Sequence, residues 1–509
     1  MKFNLGIKAK STVTNHEGAI AYTLSPEMEL YTAVSTTMLS DAMYEQANER
    51  IARILSLLPR VKPEFVAKLA VYARKEMNLR SAPVVLATAL AGIHRGDNLV
   101  SRTIQQVVQR PDEIMEMLAY YQLSNNRTAV KKLNRISKQV QKGLAEAFNR
   151  FDEYQFAKYN RDTEIKLRDA LFLVHPKAKT EQQQLLFNKI ANKELAIPYT
   201  WETELSALGQ KGFADATAKK KAVAAKWEAL IDSGKLGYMA MLRNLRNILE
   251  AGVSATHIEK LGLFLSDEQA VKHSRQLPFR FLAAYRELKR LKSGYTGYLM
   301  DVLEKAMQAS VANMPGFALD SRIVIACDVS GSMQKPISEK SKVLLYDIGL
   351  LMGMMLQSKC RNVQSGMFGD TWKLVPLPTQ GILSNVDAFY KREGEVGYAT
   401  NGYLVIKDLL TRKYVADKVM LFTDTQLWDS TTGNNTIQNT LAWQWKAYRK
   451  IAPEAKLYLF DLAGYGQSPI RTSDDGVYLV AGWSDKIFAV LQALESGKEA
   501  LEMIEAITL

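Results

Sequence analysis

The spacing of apolar residues divides the chain into two styles. Up to about residue 313 they recur at three- and four-residue intervals, as in Ile51, Ile54, Leu57 and Leu58 and then Phe65, Leu69 and Tyr72. That period places them on one face of a helix. Breaks fall at Pro59, Pro63, Gly96-Asp97, Pro111-Asp112 and Pro176, and strand-like alternation is scarce. Many helices of roughly 10 to 20 residues with short links predict an α-solenoid or a closed array of helix pairs. The style changes at Asn313-Met-Pro-Gly316. The run SRIVIACDVSGSM follows, a β-branched strand that ends in small residues. After the helical LLYDIGLLMGMMLQ come further strand-like runs in VQSGMFG, KVMLFTD, AKLYLFDL and GVYLVAG, and SDKIFAVLQALES closes the region as a helix. Strands alternating with helices predict a doubly wound, mostly parallel sheet. The expected fold class is therefore multidomain α and α/β, with a helical-repeat module over residues 1–318 and an α/β domain over 319–509.

The loop Asp328-Val-Ser330-Gly-Ser332 follows the first strand of that sheet. Ligands of doubly wound folds gather at the carboxyl ends of strands. Alternate Asp, Ser and Ser turn three oxygens toward one point, a set suited to a hard divalent cation such as Mg²⁺. The plain alternative is an α/β domain with an incidental DxSxS. The pattern resembles the metal-ion-dependent adhesion site of von Willebrand factor A-type domains. That resemblance implies two further ligands on later loops: Thr400, in Gly397-Tyr-Ala-Thr400-Asn-Gly, and Asp424, in Leu421-Phe-Thr-Asp424. Ala399 stands before Thr400 where the family usually has a glycine nearby. In that family a carboxylate of a partner usually completes the metal. No His or Glu lies near in sequence to act as a base toward metal-activated water, so no enzyme is expected.

Charge changes the picture of the first region. The chain of 509 residues has a net charge of +13. Residues 1–318 hold 46 Lys and Arg against 32 Asp and Glu, and residues 319–509 hold 20 against 21. A basic excess confined to the helical module invites a polyanion, nucleic acid above all. Between Asn125 and Lys142 there are six basic residues and no acidic one. The pattern predicts one helix there, with Arg127, Lys131, Arg135, Lys138 and Lys142 in a stripe and Val130, Leu133, Ile136, Val140 and Leu144 opposite. Like charges one turn apart repel, and a phosphate backbone would supply the missing anions. The bland alternative is a solvated basic face. Further basic sets include Lys158, Tyr159 and Arg161, then Lys166, Arg168, His175, Lys177 and Lys179, and then Lys272, His273, Arg275, Phe279, Arg280 and Arg286. Arg and aromatic faces suit single-stranded RNA, although core packing accounts for most of these aromatics.

A helical module followed by an A-type domain resembles the Ro autoantigen family, RNA-binding proteins built on the TROVE module. The resemblance runs along nearly the whole chain and is carried by Lys138-Gln-Val-Gln-Lys142-Gly-Leu-Ala-Glu-Ala-Phe-Asn, Lys158-Tyr-Asn-Arg161 and Leu173-Val-His175-Pro-Lys177. It implies HEAT-type repeats closed into a ring, with small noncoding Y RNAs on a basic outer surface and single-stranded ends of misfolded RNAs in a central hole. By motif, Lys158, Arg161 and His175 match Y RNA contacts, with Lys138 and Lys142 just upstream. An exoribonuclease is a further partner in that picture, and the chain is expected to be monomeric.

The remaining signals mostly exclude. No run of about 18 apolar residues predicts a membrane helix. The N-terminal stretch lacks the apolar core of a signal peptide. Cys327 and Cys360 make no disulfide framework and no zinc spacing. A cytoplasmic setting is the expectation. Two rival readings stay open: an adaptor that captures an acidic partner through the A-type domain, and a metal-dependent hydrolase or nuclease.

Overall fold

The computed structural model describes residues 12–37, 45–124, 136–312, 321–338, 341–432, 436–472, 474, 476–484, 487–495 and 500–509. Two compact units emerge. One comprises the described residues of Met1–Leu57, Leu277–Ala283 and Ser310–Met503, and the other those of Leu58–Gln276, Ala284–Ala309 and Ile504–Leu509.

The first unit is built on a six-stranded sheet. Its strands are β3 (Arg322–Asp328), β4 (Asn362–Phe368), β5 (Trp372–Leu374), β6 (Lys418–Thr423), β7 (Lys456–Asp461) and β9 (Val477–Ala481), in the spatial order β5-β4-β3-β6-β7-β9. All neighbours run parallel except the short edge strand β5, which is antiparallel to β4. The inner strands are apolar on both faces, as expected of strands covered by helices on each side. On one side Val324, Ala326, Val419, Leu421, Leu457 and Leu459 pack with Ile406, Leu409, Trp445 and Tyr448. On the other lies the helix Leu345–Gln357, every residue of which is buried. Its Gly353 permits this closeness, because a Cβ there would stand 3.1 Å from both Cys327 Sγ and Ile325 Cγ2. The chain leaves β3 toward β4 on one side and returns to β6 on the other. The carboxyl ends of β3 and β6 thus flank the point where strand order reverses, where such folds open a crevice.

The N-terminal residues belong to this sheet unit, which departs from a single boundary at residue 318. Strands β1 (Thr12–Thr14) and β2 (Ile20–Thr23) form an antiparallel hairpin, and β2 pairs with β8 (Gln467–Ser468) in the register Tyr22↔Ser468 and Thr23↔Gln467. The helix Pro26–Ser35 starts with a Ser25 cap accepting from Met28 N at 3.2 Å, with Pro at its first position. Arg50, 3% exposed, donates to the carbonyl of Ala463 at 2.6 Å, and Arg53 donates to the carbonyl of Gly464 at 2.6 Å. Glu45 pairs with both guanidinium groups. Strands of two to four residues and a buried ion cluster leave no hydrophobic period, so apolar spacing could not reveal this docking.

The second unit is helical, as its spacing predicts, with helices that include Pro63–Lys75, Ser81–Ile93, Leu99–Val107, Pro111–Ser124, Lys138–Phe148, Glu153–Tyr159, Leu167–Val174 and Glu181–Asn192. The basic helix expected over 125–142 does not run through as one element. Ile136 and Ser137 are not helical, and the helix begins at Lys138 with Ser137 as its extended N-cap (φ −48°, ψ 132°). Serine favours that boundary position over a helix interior. Arg127, Lys131 and Arg135 lie outside the described residues.

Candidate metal centre and nucleic-acid interface

Asp328 ends β3, and Asp424 directly follows β6, so neighbouring parallel strands carry the two carboxylates to one end of the sheet. Asp328 Oδ1 accepts from Ser330 N at 2.9 Å, and its Oδ2 accepts from the Thr423 hydroxyl at 2.6 Å. The Ser330 and Ser332 hydroxyls are 3.2 Å apart. Asp424 Oδ1 accepts from Gln426 N at 3.1 Å. The loop carrying Thr400 joins this group through its backbone: Gly331 N donates to Tyr398 O at 3.0 Å, and Trp428 N donates to Thr400 O at 3.2 Å. Asn401 fastens it further, accepting from Ser430 N at 2.8 Å. Thr425 sits in the left-handed region at φ 67°, where a β-branched residue is strained. Its hydroxyl holds it there by donating to Asp424 O at 2.6 Å.

All five sequence-nominated ligand residues are therefore on three loops tied to one another, and all are buried. Two of their atoms, Thr400 Oγ1 and Asp424 Oδ2, are buried without a hydrogen-bond partner. Leaving such an atom unsatisfied costs about 1–3 kcal/mol. Burial raises the Asp328 carboxyl, and the nearby Asp424 charge raises it further. Burial also raises Asp424. A hard cation answers both problems, since it coordinates orphaned oxygens and neutralises crowded carboxylates. The all-oxygen donor set fits Mg²⁺ chemistry.

Sequence reasoning missed a third buried acid. Asp461 ends β7 next to β6; its Oδ1 accepts from Ala463 N at 3.0 Å and Gly464 N at 2.7 Å, while its Oδ2 has no partner. Burial pushes this carboxyl up to about 6, with the Asp424 charge adding to the rise. Its signal was present as the final Asp of the apolar run AKLYLFD, matching the placement of Asp328 and Asp424 at strand ends.

In the helical unit, the helix Lys138–Phe148 buries Val140, Leu144, Ala147 and Phe148 and exposes Lys138 and Lys142. Gly143 lets it approach the helix Leu99–Val107 closely: a Cβ there would meet Ile104 Cβ at 2.7 Å and Ser101 O at 2.9 Å. Phe148 stacks on Phe156 with centroids 5.6 Å apart and meets Phe187 edge-on at 6.1 Å. This cluster joins the helices carrying Lys142 and Lys158. A capping box between Asp152 and Gln155 starts the helix that presents Lys158. Exposed His175 caps the helix Leu167–Val174 in the left-handed conformation (φ 49°), and Asn149 Nδ2 holds the following turn through Lys177 O at 3.0 Å.

Lys138, Lys142, Lys158, Arg161 and His175 are all exposed, on adjacent packed elements, and none forms an ion pair among the described residues. Lys166 and Lys179 differ: Asp162 and Glu146 neutralise them at 2.8 and 2.5 Å. Aromatic faces lie under several cations. Lys158 Nζ is 5.7 Å from the Tyr154 ring centre, Arg168 stands 5.5 Å from that of Phe172, and Phe172 is 50% exposed. Phe279 is instead core, at 2% exposure.

Together these features define a two-part protein, a helical array with exposed cations and a doubly wound α/β domain with an acidic, oxygen-lined crevice. A model of the TROVE domain matches residues 20–220 and 191–314, and the chain belongs to this family of RNA-binding ribonucleoprotein components. The telomerase protein component 1 of Rattus norvegicus and that of Mus musculus are each 29% identical to it, over 52% of this chain. The matched region spans only 13% of the length of those relatives. The crystal structure of the Deinococcus radiodurans Ro (RSR) protein shares the fold, with a TM-score of 0.59 at 16% identity over 92% of this chain and 100% of that one.

Proposed function

We propose that this protein binds a small, structured noncoding RNA of the Y RNA type through Lys138, Lys142, Lys158, Arg161 and His175, and takes up single-stranded ends of misfolded RNA. Arg127, Lys131 and Arg135 extend the same basic stretch in sequence. It acts as a cytoplasmic scaffold in RNA quality control, catalyses no reaction, and hands RNA to a partner such as an exoribonuclease. The observation that carries this reading is the coincidence of the TROVE match with the segment whose exposed cations lack acidic partners. Unpaired cations gain most from phosphate, because no internal ion pair is given up and counterions are released from the RNA.

In the same reading the α/β domain holds one divalent cation, Mg²⁺ by its donors, through Asp328, Ser330, Ser332, Thr400 and Asp424. Bound there, the cation supplies positive charge that attracts a carboxylate oxygen. The chain's own part is to fix five oxygens in a dry crevice before the ion arrives.

The test is binding to a structured RNA with a single-stranded 3′ end, and to the same RNA blunted, across a salt series. The comparison protein carries Lys138, Lys142, Lys158 and Arg161 all changed to Ala. Tail-dependent binding should weaken in the variant by about 100-fold or more, with its log–log salt slope shallower by roughly three units. Equal, tail-independent affinity of both proteins would overturn the reading in favour of an adaptor that captures an acidic protein.

A further inference from the structure

The helix Leu167–Val174 divides its residues sharply. Leu167, Ala170, Leu171 and Val174 are buried. Arg168, Phe172 and the capping His175 are exposed at spacings of four and three, which sets them along one outer stripe. The only acid of this helix, Asp169, is turned toward its start and accepts from Lys166 N at 3.2 Å. Arg168 forms no ion pair among the described residues, and its guanidinium carbon stands 5.5 Å from the Phe172 ring centre. Phe172 keeps 50% of its surface open.

The helix Glu153–Tyr159 repeats the device. Tyr154 is exposed, and Lys158, one turn on, holds its Nζ 5.7 Å from the ring centre. Both helices pack on the helix Pro111–Ser124. Other rings in this region are used differently. Tyr159 lies under Arg110 at 4.1 Å and is half-buried, while Phe148 and Phe156 are wholly buried. A lone exposed ring is ordinary on a protein surface. An exposed ring one turn from an unpaired cation, on two successive helices, suits a ligand that is flat and anionic at once. An RNA duplex offers phosphates but hides the faces of its bases in the stack. An unpaired nucleotide presents both.

We propose that Phe172 is a stacking platform for an unpaired base of the bound RNA, with Arg168 and His175 placed to hold the phosphates on either side of it. The proposal rests on the reading of this face as the RNA-binding surface. It adds to the phosphate contacts a preference for single-stranded nucleotides. Every base has a flat face, so the preference is for unpaired nucleotides rather than for a sequence. Tyr154, beside Lys158, offers a second ring of the same kind on the preceding helix.

The test uses the full chain and two RNAs with the same stem. One carries a single-stranded tail of uridines, and the other a tail of the same length made of abasic sugars. Phe172→Leu, which keeps an apolar side chain but removes the flat face, and Phe172→Tyr, which keeps the face, are compared with the unaltered protein. Each is checked for its helical circular dichroism. Phe172→Leu should bind the uridine-tailed RNA about tenfold more weakly, the scale of one lost base–aromatic stack. Its affinity for the abasic-tailed RNA should be unaltered, and Phe172→Tyr should match the unaltered protein on both. The log–log salt slope should stay the same in Phe172→Leu, since no phosphate contact is lost, and become shallower by about one unit in Arg168→Ala. Unaltered affinity of Phe172→Leu for the uridine-tailed RNA, or an equal loss on both RNAs, would overturn the stacking role and leave the basic face standing. Binding indifferent to the combined change of Lys138, Lys142, Lys158 and Arg161 to Ala would overturn the basic face and the stacking role with it.

Discussion

The crevice of the α/β domain and the basic face of the helical unit solve opposite problems of assembly. At the crevice, Asp328, Ser330 and Ser332 come from the end of β3 and the loop after it, whose backbone aims them, and Asp424 comes from the end of β6 beside it. Their oxygens are buried, and the fold leaves Thr400 Oγ1 and Asp424 Oδ2 without partners. On the basic face the cations are exposed and spread over three helices and their ends: Lys138 and Lys142 on one, Lys158 on the next with Arg161 just after it, and His175 at the end of a third. Their positions depend on how those helices pack, through Phe148, Phe156, Phe187 and Gly143. A buried site concentrates strain and unsatisfied chemistry in a few atoms, so each atom matters greatly. An exposed polyanion surface spreads its free energy over many replaceable charges.

The packing beneath the basic face offers the sharpest way to break this contrast. Phe148 is fully buried among two aromatic rings, and Phe148→Ala should destabilise the helical unit by about 3–5 kcal/mol through lost burial and a residual cavity. Denaturant unfolding measures this directly. RNA affinity should fall along with it, although Phe148 itself is hidden from RNA. A protein with lowered stability and unaltered RNA affinity would show that the helices need not be held together to present their cations.

At the crevice the effect of ligand is the next largest. With Mg²⁺ at a hundred times its dissociation constant, stability should rise by about 2.7 kcal/mol. Asp424→Asn should abolish that gain, and it should raise stability in metal-free buffer because it removes one of the crowded buried charges. Thermal unfolding with Mg²⁺ and with chelator separates the two effects. A Mg²⁺-independent midpoint in the unaltered protein would remove the metal from the account.

The same contrast explains what could be read from the chain. Asp328, Ser330 and Ser332 were legible because contiguous residues after a β-branched strand leave little choice of geometry. Asp424 and Thr400 followed from family resemblance, and the structure brings both to the same crevice. Asp461 escaped because a lone Asp ending an apolar run has no spacing pattern to distinguish it. The N-terminal hairpin escaped because its strands are too short to show a period of two, and β8, the further partner of β2, lies far along the chain. In the helical unit, apolar spacing identified the helices but ran one of them across Ile136 and Ser137. Periodicity cannot see a cap, and the regular spacing of Lys138 and Lys142 with the basic residues before them concealed the start of a new helix.

The smallest expected effect tests the claim that the exposed charges are replaceable. Lys142 is exposed on the helix Lys138–Phe148 and forms no ion pair among the described residues. Lys142→Ala should therefore leave stability within about 0.5 kcal/mol, and alanine's helix propensity even favours the change. RNA binding should weaken by a similar factor for every RNA bound on that face, and the log–log salt slope should become shallower by about one unit. Paired titrations of one RNA and a scrambled sequence of equal secondary structure, at several salt concentrations, give both quantities. A loss confined to one RNA sequence would mean that Lys142 reads a base edge rather than a phosphate. In that case the basic face would resemble the crevice more than its exposure suggests, with geometry concentrated in single side chains rather than spread over the surface.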